Sequence, residues 1–399
     1  MNPSWLNKSL FFATAMLAVS FPIFPLLVQI SVLVLLLLYL LPFDWKKRLR
    51  ELKSSKLALL LIVFFLFNVT GLLWSENLEK GILHIEIKAS LLLMPLLIFG
   101  RPDLTKSFIN RIKLFFVGSA VLVSLILLVR SFFIGFLNSG NWLIYGEFSP
   151  FFHPSYISMY FLLAMVFLFD KENIPVIPKL VYYSLLIVLG ASVFFLASKL
   201  NILLLFLILL FFFNQYIKER FSTVTNYVLA SIFFLGTLSA LMLNQSVYER
   251  FIKGWETIKH PEAIQTDDTE SNAARLMIWR SAFDLAAENP FGVGTGDVNI
   301  ELSKKYHQNG YSGIESKQLN AHNQFLQTSA AIGFLGMCIL FLLLLIPFIQ
   351  SLISKDFVFA GFLFITFSNA LVEGILEAQA GVIFFAFFYS LLLRDAKSK

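Results

Sequence analysis

A histidine and an amide residue, His322-Asn323, stand where a polar stretch gives way to a long apolar run (AHNQFLQTSAAIGFLG). An imidazole at a helix start lies where backbone N–H groups attract anions. In its neutral form it accepts a proton from a hydroxyl nucleophile, which is general-base chemistry. A polar cap at a membrane interface is the competing reading of the same residue. Arg275 and Arg280 lie five apart in SNAARLMIWRSAFDLAAEN; guanidinium forks match phosphate oxygens, so both suit a phosphorylated head group, and both equally suit a solvated helix face. Lys199, in FFLASKLNILL, has apolar residues close on either side. It reads either as a lysine that snorkels to the interface or as a cation held there for a partner.

Three further segments carry polar groups with simpler readings. His153 and Tyr156 open an apolar run in HPSYISMYF, as an interfacial anchor would. His84 and Lys88 share one face of a helix, with Glu86 between them in sequence, and suit an ion pair with a neighbouring helix. The stretch 290–297 (PFGVGTGD) is glycine-rich, but its spacing fits neither nucleotide fingerprint, so it reads as a turn. Asp267, Asp268 and Glu270 form a polar run before a helix and make no metal cluster. Neither a metal nor a cofactor is expected, and Cys338, the only cysteine, sits in an apolar run with no disulfide partner.

The elements that must position these residues follow from composition. The sequence is 58% hydrophobic and 16% aromatic with 46 Phe, and only 14% charged over 399 residues, outside the range of an ordinary soluble domain. Backbone groups in lipid must bond internally, so an all-α polytopic bundle follows. About twelve spans are predicted, near 9–22, 25–42, 57–74, 84–99, 113–134, 151–169, 179–197, 200–214, 226–243, 323–348, 357–371 and 378–393. The first two are either two helices broken near Pro22 and Pro25 or one long kinked helix. Between spans nine and ten lies the largest polar segment, in which 245–260 and 271–289 read as amphipathic helices, Ser271 capping the second and Pro290 stopping it. The expected organisation is a bundle over 1–244, a helical loop over 245–322, and spans ten to twelve with a short tail over 323–399.

The formal charge of +6 does not point to nucleic acid, because the basic residues alternate between connections instead of clustering on a soluble face. Runs such as Lys46–Lys56, Arg101–Lys113 and Arg394–Lys399 fall on one side, whereas the opposite short connections hold only Lys80, Lys88, Arg130 and Lys199. With both termini cytoplasmic, the long loop and His322 lie on the outer face.

Taken together these segments resemble the O-antigen ligase and polymerase superfamily of bacterial membrane glycosyltransferases. Trp74-Ser75-Glu76 is similar to its early Trp-Ser segment, His153-Pro154 to a feature opening the sixth span, and Lys199 in ASKLN to a position where the family commonly has arginine. RLMIWRSAFDLAAENPFGVGTGD resembles its Arg, Trp and Pro-x-Gly-x-Gly stretch, and AHNQFLQTSAAIGFLG its His-Asn motif. The resemblance implies a fold related to the integral-membrane glycosyltransferases, an inner-membrane location, and transfer of a glycan from undecaprenyl pyrophosphate to a glycolipid or glycan acceptor at the periplasmic face. It implies His322 as the catalytic histidine and Arg275 and Lys199 as cations on the pyrophosphate, with Arg280, Asn323, His153, Tyr156 and Lys88 near the substrates. Lysine at 199 keeps the charge and loses the bidentate fork. Ligase action on a lipid A-core sugar, polymerisation of carrier-linked repeats and transfer to a protein hydroxyl remain open, as does a lipid-linked sugar flippase or transporter. The gathering of polar mass in one outer loop argues against transport, which more often places ionisable groups near mid-membrane.

Overall fold

The computed structural model describes residues 4–40, 45–99, 101, 104–170, 178–218, 245–260, 264–267, 271–315, 317 and 319–396; the ninth predicted span, 226–243, lies outside them. Every regular element among the described residues is helical, and no strand occurs there. In chain order the main helices are α1 (Ser4–Ser20), α2 (Pro25–Tyr39), α3 (Trp45–Lys53), α4 (Lys56–Thr70), α5 (Leu78–Lys88), α6 (Ser90–Ile98), α7 (Lys106–Arg130) and α8 (Pro154–Leu168). They continue as α9 (Lys179–Phe195), α10 (Lys199–Lys218), α11 (Gln245–Lys259), α12 (Ser271–Glu288), α13 (Val298–Gln308), α14 (Gln324–Ile353), α15 (Phe357–Ala370) and α16 (Gln379–Ala396).

Among the described residues, five helical stretches are long and apolar enough to cross a membrane: Lys56–Trp74, Leu78–Ile98, Lys106–Ser139, Gln324–Ile353 and Gln379–Ala396. Shorter apolar helices such as Pro25–Tyr39, Pro154–Leu168 and Phe357–Ala370 accompany them. The first apolar run is two helices, not one. Phe24 is extended at φ −162°, and Pro25 opens α2, where its missing N–H costs no hydrogen bond. The fourth stretch begins at Leu78, six residues before the expected 84, because the Asn77 side chain accepts from the Lys80 N–H and caps the helix there. Lys80, His84 and Lys88 therefore ride on one face of one helix.

The chain divides into two compact units, one of residues 1–119 with 265–399 and the other of residues 120–264. In the first, α16 is the central helix, packed by α4, α5, α6 and α15. Its phenylalanines fill the core: Phe388 lies 4.8 Å from Phe116 and Phe384 lies 5.6 Å from Phe21, ring centre to ring centre. Edge-on aromatic contacts of this kind add specificity to bulk apolar packing. In the same unit α14 packs on α4, α12 and α15. In the second unit α8 packs on α9 and α10 and is buried along nearly its whole length.

Candidate active site

The turn before α14 holds His322 in the left-handed region, at φ +42°. A non-glycine residue is uncommon there, though histidine tolerates it better than most. Five hydrogen bonds, two on His322 and three on Asn323, over-determine the conformation. The His322 N–H donates to the Asn320 side chain at 3.0 Å, and Trp279 of α12 donates its indole N–H to the His322 carbonyl at 3.2 Å. Asn323 caps α14, accepting from the Phe325 and Leu326 N–H groups, and donates to the Leu371 carbonyl at 3.0 Å. The residue expected beside the substrates thus fixes the helix start and ties it to the connection between α15 and α16.

That connection carries two carboxylates four residues apart, Glu373 and Glu377. Glu373 takes as partners both Arg275 and His322, which the sequence put forward separately. One oxygen lies 2.8 Å from Arg275 Nη2 and the other 3.1 Å from His322 Nδ1. Arg275 and Trp279 are one helical turn apart on α12, which explains why one helix grips both the glutamate and the histidine backbone. With Glu373 as carboxylate, Nδ1 carries the proton it donates, and Nε2 is left as the acceptor. This is the arrangement by which a carboxylate holds an imidazole in the tautomer required of a general base. The Glu373 side chain is 6% exposed while those of Arg275 and His322 are 26% and 28%, so the carboxylate is sealed and its two partners face outward.

Glu377 forms a second node. Lys88 Nζ lies 2.8 Å from it, His84 Nδ1 3.5 Å, and Gln324 Nε2 donates to it at 2.9 Å. Burial acts to raise this carboxyl, but the Lys88 ammonium and the charge and hydrogen bond of His84 outweigh it and hold the group well below the ordinary carboxylate range. Lys88, expected near substrate, is 4% exposed and spends its charge on Glu377. Its partner lies in an interhelical connection and not on a neighbouring helix as the sequence suggested. Gln324 also accepts from the Leu376 N–H at 2.7 Å, so the first turn of α14 clamps the loop that carries both glutamates.

The glycine-rich segment is a turn, and its role is to dock. Val293 and Gly294 donate their N–H groups to the Ala330 and Ala331 carbonyls at 2.9 Å each. Those carbonyls are available because α14 breaks at Ile332 and Gly333, the latter at φ +80°. A Cβ on Gly333 would come within 2.5 Å of the Pro290 carbonyl, so glycine is required twice over. Asp297 at the end of the turn accepts from the Glu76 and Asn77 N–H groups, and Ser75 Oγ accepts from the Gly296 N–H. The Trp-Ser segment and the glycine turn meet each other. Neither cradles a ligand through these atoms.

Other expected residues take the following places. Arg280 is exposed on α12 and has no ion-pair partner among the described residues. In the second unit His153 caps α8, its Nδ1 accepting from the Ser155 N–H at 3.4 Å, and its ring lies 6.3 Å from that of Tyr156. Lys199 is the first residue of α10, two residues after Ala197, which sits at φ +48°. Asn201, fully buried, donates to Ser198 Oγ at 2.9 Å and to the Ser155 carbonyl at 3.5 Å, so the starts of α8 and α10 are joined.

Sequence reasoning missed Glu373 and Glu377. The available signal was that they are the only charged residues between Phe357 and Leu393, and an ionisable group beside apolar spans calls for a partner.

The family model described as O-antigen ligase matches residues 184–341. The similarity covers about two fifths of the chain and agrees with the resemblance to the O-antigen ligase superfamily. No match to a curated protein accompanies it. The O-antigen ligase match contains Lys199, Arg275, Arg280, His322 and Asn323, and stops short of Glu373 and Glu377. The long apolar helices indicate a membrane protein, and the matched segment is similar in kind to ligases and polymerases that act on lipid-linked glycans.

Proposed function

We propose that this chain transfers a glycan from undecaprenyl pyrophosphate to a hydroxyl of a lipid A-core sugar, at the periplasmic face of the bacterial inner membrane. The observation that carries the reading is the His322–Glu373–Arg275 arrangement: an oriented imidazole with its second nitrogen left to accept, beside a guanidinium about a quarter exposed. His322 Nε2 takes the proton of the acceptor hydroxyl as that oxygen attacks the anomeric carbon. The bond from that carbon to the diphosphate oxygen breaks, and undecaprenyl pyrophosphate leaves with the electron pair. The proton then passes from the imidazolium to the departing diphosphate or to water.

Negative charge develops on the leaving group, and a fixed cation in a shielded site stabilises it most when it needs no reorganisation. Arg275 takes this role. Its guanidinium offers five N–H donors, so pairing with Glu373 is compatible with engaging a phosphate oxygen. Arg280 is assigned as a further cation on the diphosphate; for Lys199, which lies in the matched segment, the same role is what the resemblance implies. Direct displacement inverts the anomeric centre. No metal is required, because the charge is met by side-chain cations.

The product left in cells lacking the gene tests this. Carrier-linked full-length polymer, with unmodified lipid A-core seen by mass spectrometry, is expected. Single-repeat caps on the core would place the chain among the polymerases, and lipid-linked sugar stranded on the cytoplasmic leaflet would make it a flippase.

A further inference from the structure

A cavity of about 440 Å³ opens beside α13, bordered by Lys80, Asn299, Ser303, Lys304, His307 and Glu315. We infer that it is a saccharide subsite holding a sugar of one of the two glycan substrates; this rests on the glycan-transfer reading above.

The cavity is built from one face of a firmly held helix. Val298, Leu302 and Tyr306 form the buried stripe of α13, and the Tyr306 hydroxyl donates to the Leu319 carbonyl at 3.0 Å, three residues before His322. Positions 299, 303 and 307, with 300, 304 and 308, form the adjoining stripes that line the space. All the lining residues except Ile300 are polar. The volume falls within the ordinary range for small-molecule sites, roughly 300–1,000 Å³.

The chemistry favours a polyhydroxylated ligand over a bare anion. Lys304 Nζ has Glu301 at 2.7 Å and His307 Nδ1 has Glu315 at 2.9 Å, so both already have acidic partners, and Lys80 is left as the lining cation without an ion pair among the described residues. What the walls add are amides: Gln308 brings donor and acceptor together, and Asn299, whose oxygen is engaged by Gln327, keeps its N–H2 donors. Adjacent hydroxyl groups of a sugar ring have the same mixed character.

Two connections run from this cavity to the candidate active site. Asn299 accepts from Gln327 Nε2 at 3.0 Å, and Gln327 Oε1 accepts from the Ala321 N–H at 2.9 Å, the residue next to His322. Lys80 stands one turn before His84 and two before Lys88 on α5, so the cavity and the Glu377 node share one helix face, about 6 Å per step along the axis. The relay through Gln327, which is buried, ties the wall of the cavity to the turn that holds the imidazole.

The test uses the full chain in membranes. Ser303→Trp fills the cavity without touching the hydrogen bonds that position His322, and Lys304→Ala with Gln308→Ala is the milder second variant. Donor linked to undecaprenyl pyrophosphate and lipid A-core acceptor, both purified from the host, are varied in turn. A KM raised about tenfold for one substrate, with kcat within twofold, is expected, the signature of lost binding that does not distinguish ground from transition state. The substrate affected tells whether the sugar is the donor's or the acceptor's. Lowered kcat with unchanged KM, or no change for either substrate, overturns the subsite. Binding is read separately in the His322→Ala background, with core oligosaccharide and repeat-unit oligosaccharide freed from their lipids as probes. At least one should bind, and Ser303→Trp should abolish it; if neither binds, the subsite is wrong whatever the chain transfers.

Discussion

Within one compact unit a carboxylate meets cations in two contrasting ways. Lys113 of α7 and Asp395 of α16 lie 2.6 Å apart with side chains 6% and 4% exposed, a pair closed off on both sides. Glu373 is equally sealed, but its partners Arg275 and His322 are each about a quarter exposed, and one of them is a histidine. A pair closed on both sides joins two helices and has no surface to offer a substrate. A node closed on the carboxylate side alone turns its cation and its imidazole outward, which is the condition for acting on something else. Charge burial by itself does not mark function; the asymmetry of the burial does.

The contrast can be broken from either side. Glu373→Gln keeps the shape of the side chain but removes the charge that holds the histidine tautomer, and transfer should fall about 10²–10³-fold with little change in KM. Its pH profile should shift too, which a merely structural role would not cause. Asp395→Leu leaves Lys113 without this carboxylate inside the bundle, and a loss of about 3 kcal/mol in stability is expected from breaking one half of a buried pair. Thermal unfolding in detergent would show the drop, with transfer per folded molecule unchanged, and adding Lys113→Met should recover most of it. Loss of transfer in that double variant, with stability restored, would erase the distinction between the two nodes. Arg275→Lys keeps the charge and loses the fork, so about a tenfold fall in transfer is expected.

The smallest effect concerns Glu377. Its folded pKa lies below the ordinary 4.5, so its contribution to stability is present above that value and is lost as pH falls through the folded one. Acid unfolding followed downward from about pH 6, through the range where carboxylates titrate, should be flatter in Glu377→Gln than in the parent.

Much of this was legible in the sequence, and the missing parts have one cause. The helix from Ser271 and the polar start of α14 follow from caps and apolar runs, and both were expected within a residue or so. That His322 opens a helix is local information. Which carboxylate faces it is not, because Glu373 lies 51 residues further on, in a connection whose local pattern only separates two spans. The same holds for the glycine turn. Its glycines announce a turn, but the carbonyls it docks on exist only because α14 breaks at Gly333, inside a run that reads as uninterrupted helix. Lys88 shows the cost of stopping at the local level, since its helix face was right and its partner was not.

The central claim is that His322, oriented by Glu373, is the base of a glycan transfer, and His322→Ala tests it most directly. Membranes containing that variant, at parent levels of inserted protein, would be supplied with the undecaprenyl-pyrophosphate-linked donor and lipid A-core acceptor, and the glycosylated product would be counted by mass spectrometry. Product should fall at least about 10²-fold, the lower bound for losing a general base. Undiminished product would contradict the account.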